Sequence, residues 1–164
     1  MHEGDGVAGS AFTYAVGKLA LWSKTPGLVD DQGAVLRKAG IGHIAYANPR
    51  LAPYGAAAVQ TMTALGVIEA LQPKLVQGEN ISQAYQFVVS ANAEIGFVAL
   101  SQVFKDGRIT EGSAWIVPQT LYSPIRQNAV ILRRGEGRKA VTDFMSYLRS
   151  DQAKAVIRAF GYAL

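Results

Sequence analysis

The groups in this sequence best placed to do chemistry are backbone amides at two predicted helix starts. One start is Ala52-Pro53-Tyr54-Gly55 and the other is Asn80-Ile81-Ser82, and each follows a predicted strand. The first amides of a helix have no acceptor within the helix. Together with the positive end of the helix dipole, they can bind an anion without any charged side chain. Every α/β protein has such helix starts, so the pattern alone is a weak signal.

Side chains suited to catalysis or metal binding are few and scattered. The histidines are His2 and His43, and we interpret His43, at a strand start, as structural. The adjacent carboxylates Asp30-Asp31 fit a helix N-terminus, where negative charge is favoured. The chain has no cysteine and no HExxH, GxSxG, P-loop or Rossmann glycine motif. We therefore predict that it is not an enzyme and that it uses no metal or cofactor.

Composition indicates one folded domain with a packed core. Of the 164 residues, 49% are apolar and only 17% are charged. The net charge of +4 is modest and the basic residues form no run, so we expect no nucleic-acid partner. No apolar run approaches the roughly 18 residues of a membrane span. Residues 1–10 lack the pattern of a signal peptide, so an exported protein would lack its beginning here.

Strand and helix patterns alternate along the chain. Strands are predicted at 12–22, 43–47, 74–77, 95–100, 115–117 and 128–132. Helices are predicted at 30–38, 53–66, 80–90, 138–149 and 150–160. Capping residues support the helices: Asp30, Asn80 with Gln83, and Ser150 at starts, and Gly40, Gly66 and Gly161 at ends. This alternation predicts an α/β fold with a mainly parallel sheet.

The two closing helices are amphipathic. Their predicted inward residues are Ala140, Val141, Phe144, Met145 and Leu148 in the first, and Ala153, Val156, Ile157 and Phe160 in the second.

Four blocks of the sequence resemble segments of the periplasmic molybdate-binding proteins. In chain order they read AFTYAVGKLALWS, NPRLAPYGAAAVQTMTALG, PKLVQGENISQAYQFVVSANAEIGFVALSQV and AVTDFMSYLRSDQAKAVIRAFGY. The blocks occur in the family's order with sensible gaps, from about residue 9 to residue 164. Because four separate blocks agree, the resemblance is specific.

The resemblance implies a two-lobed type II periplasmic-binding fold. We expect residues 1–17 to be a flexible arm and a first strand, residues 18–125 to be the second, inserted lobe, and residues 126–164 to be the closing part of the first lobe. The segment that opens the first lobe is expected to be absent. The anion site of this chain would then be incomplete.

The resemblance also implies a function. It indicates the periplasmic substrate-binding component of an ABC importer, which passes molybdate or tungstate to a membrane permease. Motif matching assigns the second-lobe donors to the backbone N–H groups of Tyr54 and Ile81. We expect the Tyr54 side chain at the rim of the site rather than on the ligand. Some members place a tyrosine hydroxyl in the motif at Gly96–Leu100, where this chain has Ala99, so that donor is missing.

Three alternatives remain open at this point. The ligand could be another oxyanion such as sulfate, the chain could be the effector-type domain of a transcriptional regulator, or it could be a folded remnant that associates with itself. Without a first-lobe partner, the inward face of the closing helices would be open to solvent. Exposed apolar patches of that size are unusual in monomers, so we expect a homo-oligomer of this chain.

Overall fold

The computed structural model describes residues 4–164, so His2 lies outside the described residues. The strands are β1 (Phe12–Gly17), β2 (Leu19–Ser23), β3 (Ile44–Ala47), β4 (Leu75–Gly78), β5 (Ile95–Ala99), β6 (Phe104–Lys105), β7 (Arg108–Ile109), β8 (Ser113–Ile116) and β9 (Ile125–Ala129). The helices are α1 (Pro53–Ala64), α2 (Ile68–Leu71), α3 (Ile81–Val89), α4 (Lys139–Leu148) and α5 (Asp151–Ala159). None of the described helices combines the length and apolar character needed to cross a bilayer.

Five strands form the central sheet in the order β4-β3-β5-β2-β8. β3 runs parallel to β4 and β5, while β2 runs antiparallel to β5 and β8. The predicted α/β fold is confirmed, and four of the five strands run in the same direction, with β2 alone running antiparallel to them. Parallel neighbours need a crossover, and helices are available only along the path from β3 through β4 to β5. β2 and β8 are reached without such a helix.

The core lies on both faces of the central sheet. Alternate residues of β2 point to opposite sides: Leu19 and Leu21 join the cluster under α1, and Ala20 and Trp22 join the cluster under α3. Every residue of β2 and of β5 is buried. The apolar run at the predicted strand 95–100 therefore reflects, as expected, a strand covered on both faces.

A second, two-stranded sheet pairs β1 with β9 in antiparallel register, from Phe12↔Ala129 to Gly17↔Ile125. The chain ahead of β1 extends this pairing, since the Val7 amide donates to the Ile131 carbonyl at 2.8 Å and the Arg133 amide donates to the Asp5 carbonyl at 2.8 Å. The flexible arm expected at the start of the chain is therefore wrong for the described residues after Gly4. These residues are held by backbone hydrogen bonds to the segment that follows β9.

The helix predicted at 30–38 is wrong. The structure has a short 3-10 turn at Ala34–Arg37, preceded by Gly33 with φ of 70°. That left-handed conformation interrupts any helix begun at Asp30. Asp30 still acts as a cap, because its carboxylate accepts hydrogen bonds from the amides of Gln32, Ala34 and Val35 at 2.9–3.0 Å.

Two predicted strands have different limits in the structure. The extended segment 12–22 is two strands, β1 and β2, which belong to different sheets and are separated by Lys18. The strand predicted at 128–132 begins earlier, at Ile125, because its pairing with β1 starts there. The other predicted strands and helices are present with small shifts at their ends, and α2 and the β6–β7 hairpin were not predicted.

The closing helices bury less than their amphipathic pattern predicts. Met145 and Ala153 are buried, but Phe144, Val156 and Phe160 are 58%, 53% and 40% exposed. The inward orientation predicted for these three side chains is therefore wrong in this chain. α4 and α5 pack against each other, and in the described part of the chain Phe144, Val156 and Phe160 remain largely open to solvent.

Candidate functional site

The two predicted helix starts lie at one edge of the central sheet. β3 and β4 are parallel neighbours, and their last residues, Ala47 and Gly78, are register partners. The Asn48 amide donates to the Gly78 carbonyl at 2.7 Å, which joins the two strand ends. α1 follows β3 and α3 follows β4. Tyr54 is the second residue of α1 and Ile81 is the first of α3, so both belong to first helical turns at the same edge.

The start of α1 leaves one amide free. Pro53 has no N–H, and the Gly55 and Ala56 amides donate to the Ala52 carbonyl at 2.9 and 3.1 Å. The helix has no side-chain cap. Within the described chain, the Tyr54 amide has no acceptor. Its N–H is therefore available to a ligand at the positive end of the helix.

The start of α3 leaves two amides free. The Asn80 side chain accepts the Gln83 amide at 3.0 Å, and the Gln83 side chain accepts the Glu79 amide at 2.6 Å. The predicted capping pattern is thus present, displaced by one residue on its return bond. The amides of Ile81 and Ser82 have no acceptor among the described residues. These two N–H groups and the Tyr54 amide are unpaired donors at this edge.

Glycines hold both helix starts close to the strand ends. A Cβ on Gly55 would lie 2.2 Å from the Ala47 carbonyl oxygen, and one on Gly78 would lie 2.9 Å from the Ala84 amide nitrogen. Only glycine permits such close backbone contact. Gly55 belongs to a predicted helix start, but neither glycine was predicted to make this close contact. The signal that could have found them is a glycine at the end of a predicted strand or in the first turn of the helix that follows.

The helix starts carry no competing negative charge. Neither α1 nor α3 has an acidic residue in its first turn. A carboxylate there would itself occupy the free amides. The edge therefore presents neutral donors, which suits a ligand that is an anion and accepts hydrogen bonds only.

The Tyr54 side chain was expected at the rim of the site, and this expectation is wrong, because the side chain lies in the core. The residue is 8% exposed, and its phenol end lies against Gly17, where a Cβ would stand 2.2 Å from the Tyr54 hydroxyl oxygen. Burial raises the pKa of this phenol, and the neighbouring Tyr162 raises it further. The reason for the burial is that the first turn of α1 packs against the junction of β1 and β2. The phenol stays protonated and neutral.

Other candidate residues do not add chemistry to this edge. His43 is exposed, and its amide donates to the Glu94 carboxylate at 2.7 Å, as befits a structural position. Ala99 is buried at the end of β5 and has no hydroxyl to offer. Among the described residues, no three histidine or carboxylate side chains gather as metal ligands would.

A profile of the bacterial extracellular solute-binding proteins matches residues 1–163. The molybdate-binding protein ModA of Azotobacter vinelandii is 59% identical over 162 residues, which are 99% of this chain and 64% of that protein. The molybdate-binding protein ModA of Rhodobacter capsulatus is 53% identical over 163 residues, covering 99% of this chain and 63% of that protein. The chain thus spans slightly less than two thirds of each of these relatives.

Solved structures agree with the sequence relatives. The Azotobacter vinelandii periplasmic molybdate-binding protein matches with a TM-score of 0.92 at 43% identity, covering 99% of this chain and 71% of that one. PEB3 with bound L-phospholactate matches with a TM-score of 0.78 at 13% identity, over 99% of this chain and 71% of that one, which shows the fold alone. The expected periplasmic-binding fold and the resemblance to molybdate-binding proteins are confirmed. The chain belongs to the family of bacterial extracellular solute-binding proteins.

Proposed function

We propose that this chain belongs to the substrate-binding component of an ABC importer for molybdate or tungstate, and that it holds the anion through the backbone amides of Tyr54 and Ile81. The observation that carries the proposal is the register pair Ala47↔Gly78, which brings two helix starts with unpaired amides to one sheet edge. The relatives named as molybdate-binding proteins support this choice of ligand class.

Neutral donors explain how such a site works. A fully deprotonated tetrahedral oxyanion accepts hydrogen bonds at every oxygen and donates none. Each hydrogen bond from an N–H group to a charged group contributes about 1.5–3 kcal/mol to the binding free energy. Because the amides of Tyr54 and Ile81 carry no fixed counter-charge, they bind the dianion without the strong ion pairing that would slow its release. A protonated anion finds no acceptor for its hydrogen, so it binds less well.

We infer that these amides are only part of the donor set. The chain spans 64% of the Azotobacter relative, and the rest of that length can supply further donors. Two amides alone contribute little net affinity once the entropy cost of association is included. This chain by itself is therefore expected to bind molybdate weakly, and a longer protein that carries it is expected to bind tightly.

The cellular role follows from the ligand. One structural relative is described as periplasmic and binds molybdate. We propose that the protein works in the periplasm and passes its anion to the membrane permease of the importer. In this role it is a receptor rather than an enzyme, and nucleic acid is not a partner.

We also propose that, in the isolated chain, a second copy covers the apolar positions of α4 and α5. The side chains of Phe144 and Val156 are more than half exposed, and that of Phe160 is 40% exposed. Burying such side chains is favourable in proportion to the apolar area removed from water.

Calorimetric titration of the longer protein that carries this chain, called the full-length protein below, tests the proposed ligand. Molybdate and tungstate should bind with similar affinity, while sulfate and phosphate should bind at least about tenfold more weakly, a difference of about 1.4 kcal/mol. Sulfate binding as tight as molybdate would instead favour a receptor for another oxyanion. No heat with any of the four anions would overturn the proposal.

A further inference from the structure

The chain crosses between the two sheets at two adjacent places. β1 leads into β2 at Gly17–Leu19, and the segment after β8 leads into β9 at Tyr122–Ile125. Gly17 and Ile125 are the last register pair of the small sheet. The buried Leu19 amide donates to the Tyr122 hydroxyl at 3.0 Å and so joins the two crossings. We call these two short crossings the crossing region; short connections between packed units are where hinge motion is usually located.

The side chain of Tyr54 reaches this crossing region from α1. A Cβ on Gly17 would lie 2.2 Å from the Tyr54 hydroxyl oxygen and 2.9 Å from the carbon that bears it. The phenol tip therefore rests on the Gly17 backbone. A tyrosine side chain is rigid beyond two torsions, so it transmits the position of Gly17 to the first turn of α1.

Tyr162, near the end of the chain, also lies at the crossing region. Its hydroxyl lies 3.0 Å from the Ser101 hydroxyl, which follows β5 of the central sheet. The Tyr54 and Tyr162 phenols are neighbours, and Tyr162 helps to raise the pKa of the buried Tyr54 hydroxyl. The next residue, Ala163, exchanges two backbone hydrogen bonds with Val16 of β1, at 2.8 and 2.9 Å. Tyr162 thus connects the central sheet, through Ser101, with the small sheet, through the backbone of the adjacent Ala163.

We propose that the hydroxyls of Tyr54, Tyr162 and Ser101 form a latch across the crossing region, and that the Tyr54 side chain is a positioning residue for the anion-binding amide on its own backbone. This inference rests on the proposed function for its effect on affinity. The buried phenol does not touch the anion. It fixes the orientation of the first turn of α1 relative to the small sheet.

The latch depends on the directional geometry of its hydroxyl contacts rather than on apolar packing. Hydroxyl contacts of this kind weaken steeply when their partners rotate, whereas apolar contacts tolerate sliding. Other contacts hold the end of α5 against the segment that follows β5, since the Asp106 amide donates to the Ala159 carbonyl at 2.9 Å and Gly161 packs against Leu100. Removing one hydroxyl should therefore loosen the crossing region without unfolding the protein.

The test uses the full-length protein with Tyr162→Phe, Ser101→Ala, Tyr54→Phe and the double variant Tyr54→Phe/Tyr162→Phe. Tyr147→Phe is the matched control, because Tyr147 lies on α4, is 44% exposed and is outside the latch. Two quantities are measured: molybdate affinity by calorimetry, and hydrogen exchange of the Leu19 and Ala163 amides without anion.

We expect Tyr162→Phe to weaken molybdate binding by about two- to tenfold and to speed exchange at both amides. The double variant should bind no more weakly than the weaker single variant, because one latch is lost in either case. Unchanged affinity and exchange in Tyr162→Phe, or effects that simply add, would overturn the latch. If the unaltered protein binds no molybdate, the proposed function fails, and hydrogen exchange still decides the latch.

Discussion

Gly55, in the first turn of α1, lies directly against the backbone of Ala47 at the end of β3. A Cβ at Gly55 would stand 2.2 Å from the Ala47 carbonyl oxygen and 2.7 Å from its carbonyl carbon. Real Cβ atoms do not come this close to backbone atoms, so the helix start and the strand end can meet only at a glycine. The Tyr54 amide, one residue earlier, owes its position to this contact.

Gly55→Ala should therefore move the start of α1 away from β3. We expect a loss of about 1–3 kcal/mol in the free energy of unfolding, as for other overpacked sites, together with weaker molybdate binding by the full-length protein. Urea denaturation and calorimetry measure the two effects. Gly135→Ala is the control, because its added methyl would meet only side-chain methyl groups, of Val141 at 3.3 Å and of Ile131 at 3.8 Å. Equal stability of both variants would contradict the close contact.

Ile81→Pro should remove one anion donor and leave the helix intact. Ile81 is the first residue of α3, and Asn80 before it is extended, with φ of −145° and ψ of 174°. Proline is well tolerated at the first helical position and has no N–H. If the Ile81 amide binds the anion, its loss should weaken molybdate binding by roughly ten- to a hundredfold. Calorimetry on the full-length protein measures this.

Two control variants separate the donor from the side chain. Ile81→Ala shortens the side chain and keeps the amide, so it should bind molybdate nearly normally. Asp151→Pro makes the same backbone change at the first residue of α5, after the cap Ser150, far along the chain from the site. It should leave binding unchanged. A folded Ile81→Pro variant with normal molybdate affinity would show that this amide is not a donor.

The sequence was sufficient to predict features set by nearby residues. The alternating pattern gave the α/β fold, and the Asn80–Gln83 pair gave the start of α3. The resemblance to molybdate-binding proteins placed Tyr54 and Ile81 in first helical turns. In each case the signal lies within a few residues of the feature it predicts. The contact of these amides with an anion stays a prediction.

Features set by distant contacts could not be predicted. The helix expected after Asp30 is interrupted at Gly33, where Trp115 fills the space that a side chain would need, at 2.4 Å from a Cβ. The burial of Tyr54 depends on Gly17, and the contact of Ser101 with Tyr162 joins residues that are 61 positions apart. No local pattern records such pairings, because they arise only when the sheets are assembled.

Asp30 should make stability depend on pH. Hydrogen bonds from backbone amides, that of Ala34 first, hold the pKa of this carboxyl below its ordinary value of 3.8. A lowered pKa in the folded state means that the contribution is present above the unfolded pKa and is lost as the pH falls through the folded pKa. At pH 7, Asp30→Ala should lower the free energy of unfolding by about 1 kcal/mol.

Denaturation at several pH values checks this expectation. The difference between the unaltered protein and Asp30→Ala should shrink below about pH 4, where the carboxylate begins to take up a proton. Asp31→Ala is the matched control, because the adjacent Asp31 is exposed and, within residues 4–164, it is the Asp30 carboxylate rather than that of Asp31 that accepts the hydrogen bonds of the turn. A difference that stays constant down to pH 2 would rule out the carboxylate as its source.

The isolated chain of 164 residues should associate with itself through α4 and α5. Phe144 and Val156 are 58% and 53% exposed, and Phe160 is 40% exposed. A fully buried apolar side chain of this size is worth roughly 1.5–3 kcal/mol, so half-exposed ones leave a substantial part of that to be gained. Val156 and Phe160 are four positions apart at the end of α5, so they share a face. Sedimentation at tens of micromolar should therefore show a dimer or larger species, and Phe144→Ser/Val156→Ser should shift it towards monomer. Leu51→Ser, which removes another large exposed apolar side chain far from these helices in the sequence, should leave the association unchanged.

The same isolated chain should bind molybdate only weakly, because two helix starts supply only part of the donor set. A stable monomer with micromolar or tighter molybdate affinity would overturn both the self-association and the incomplete site.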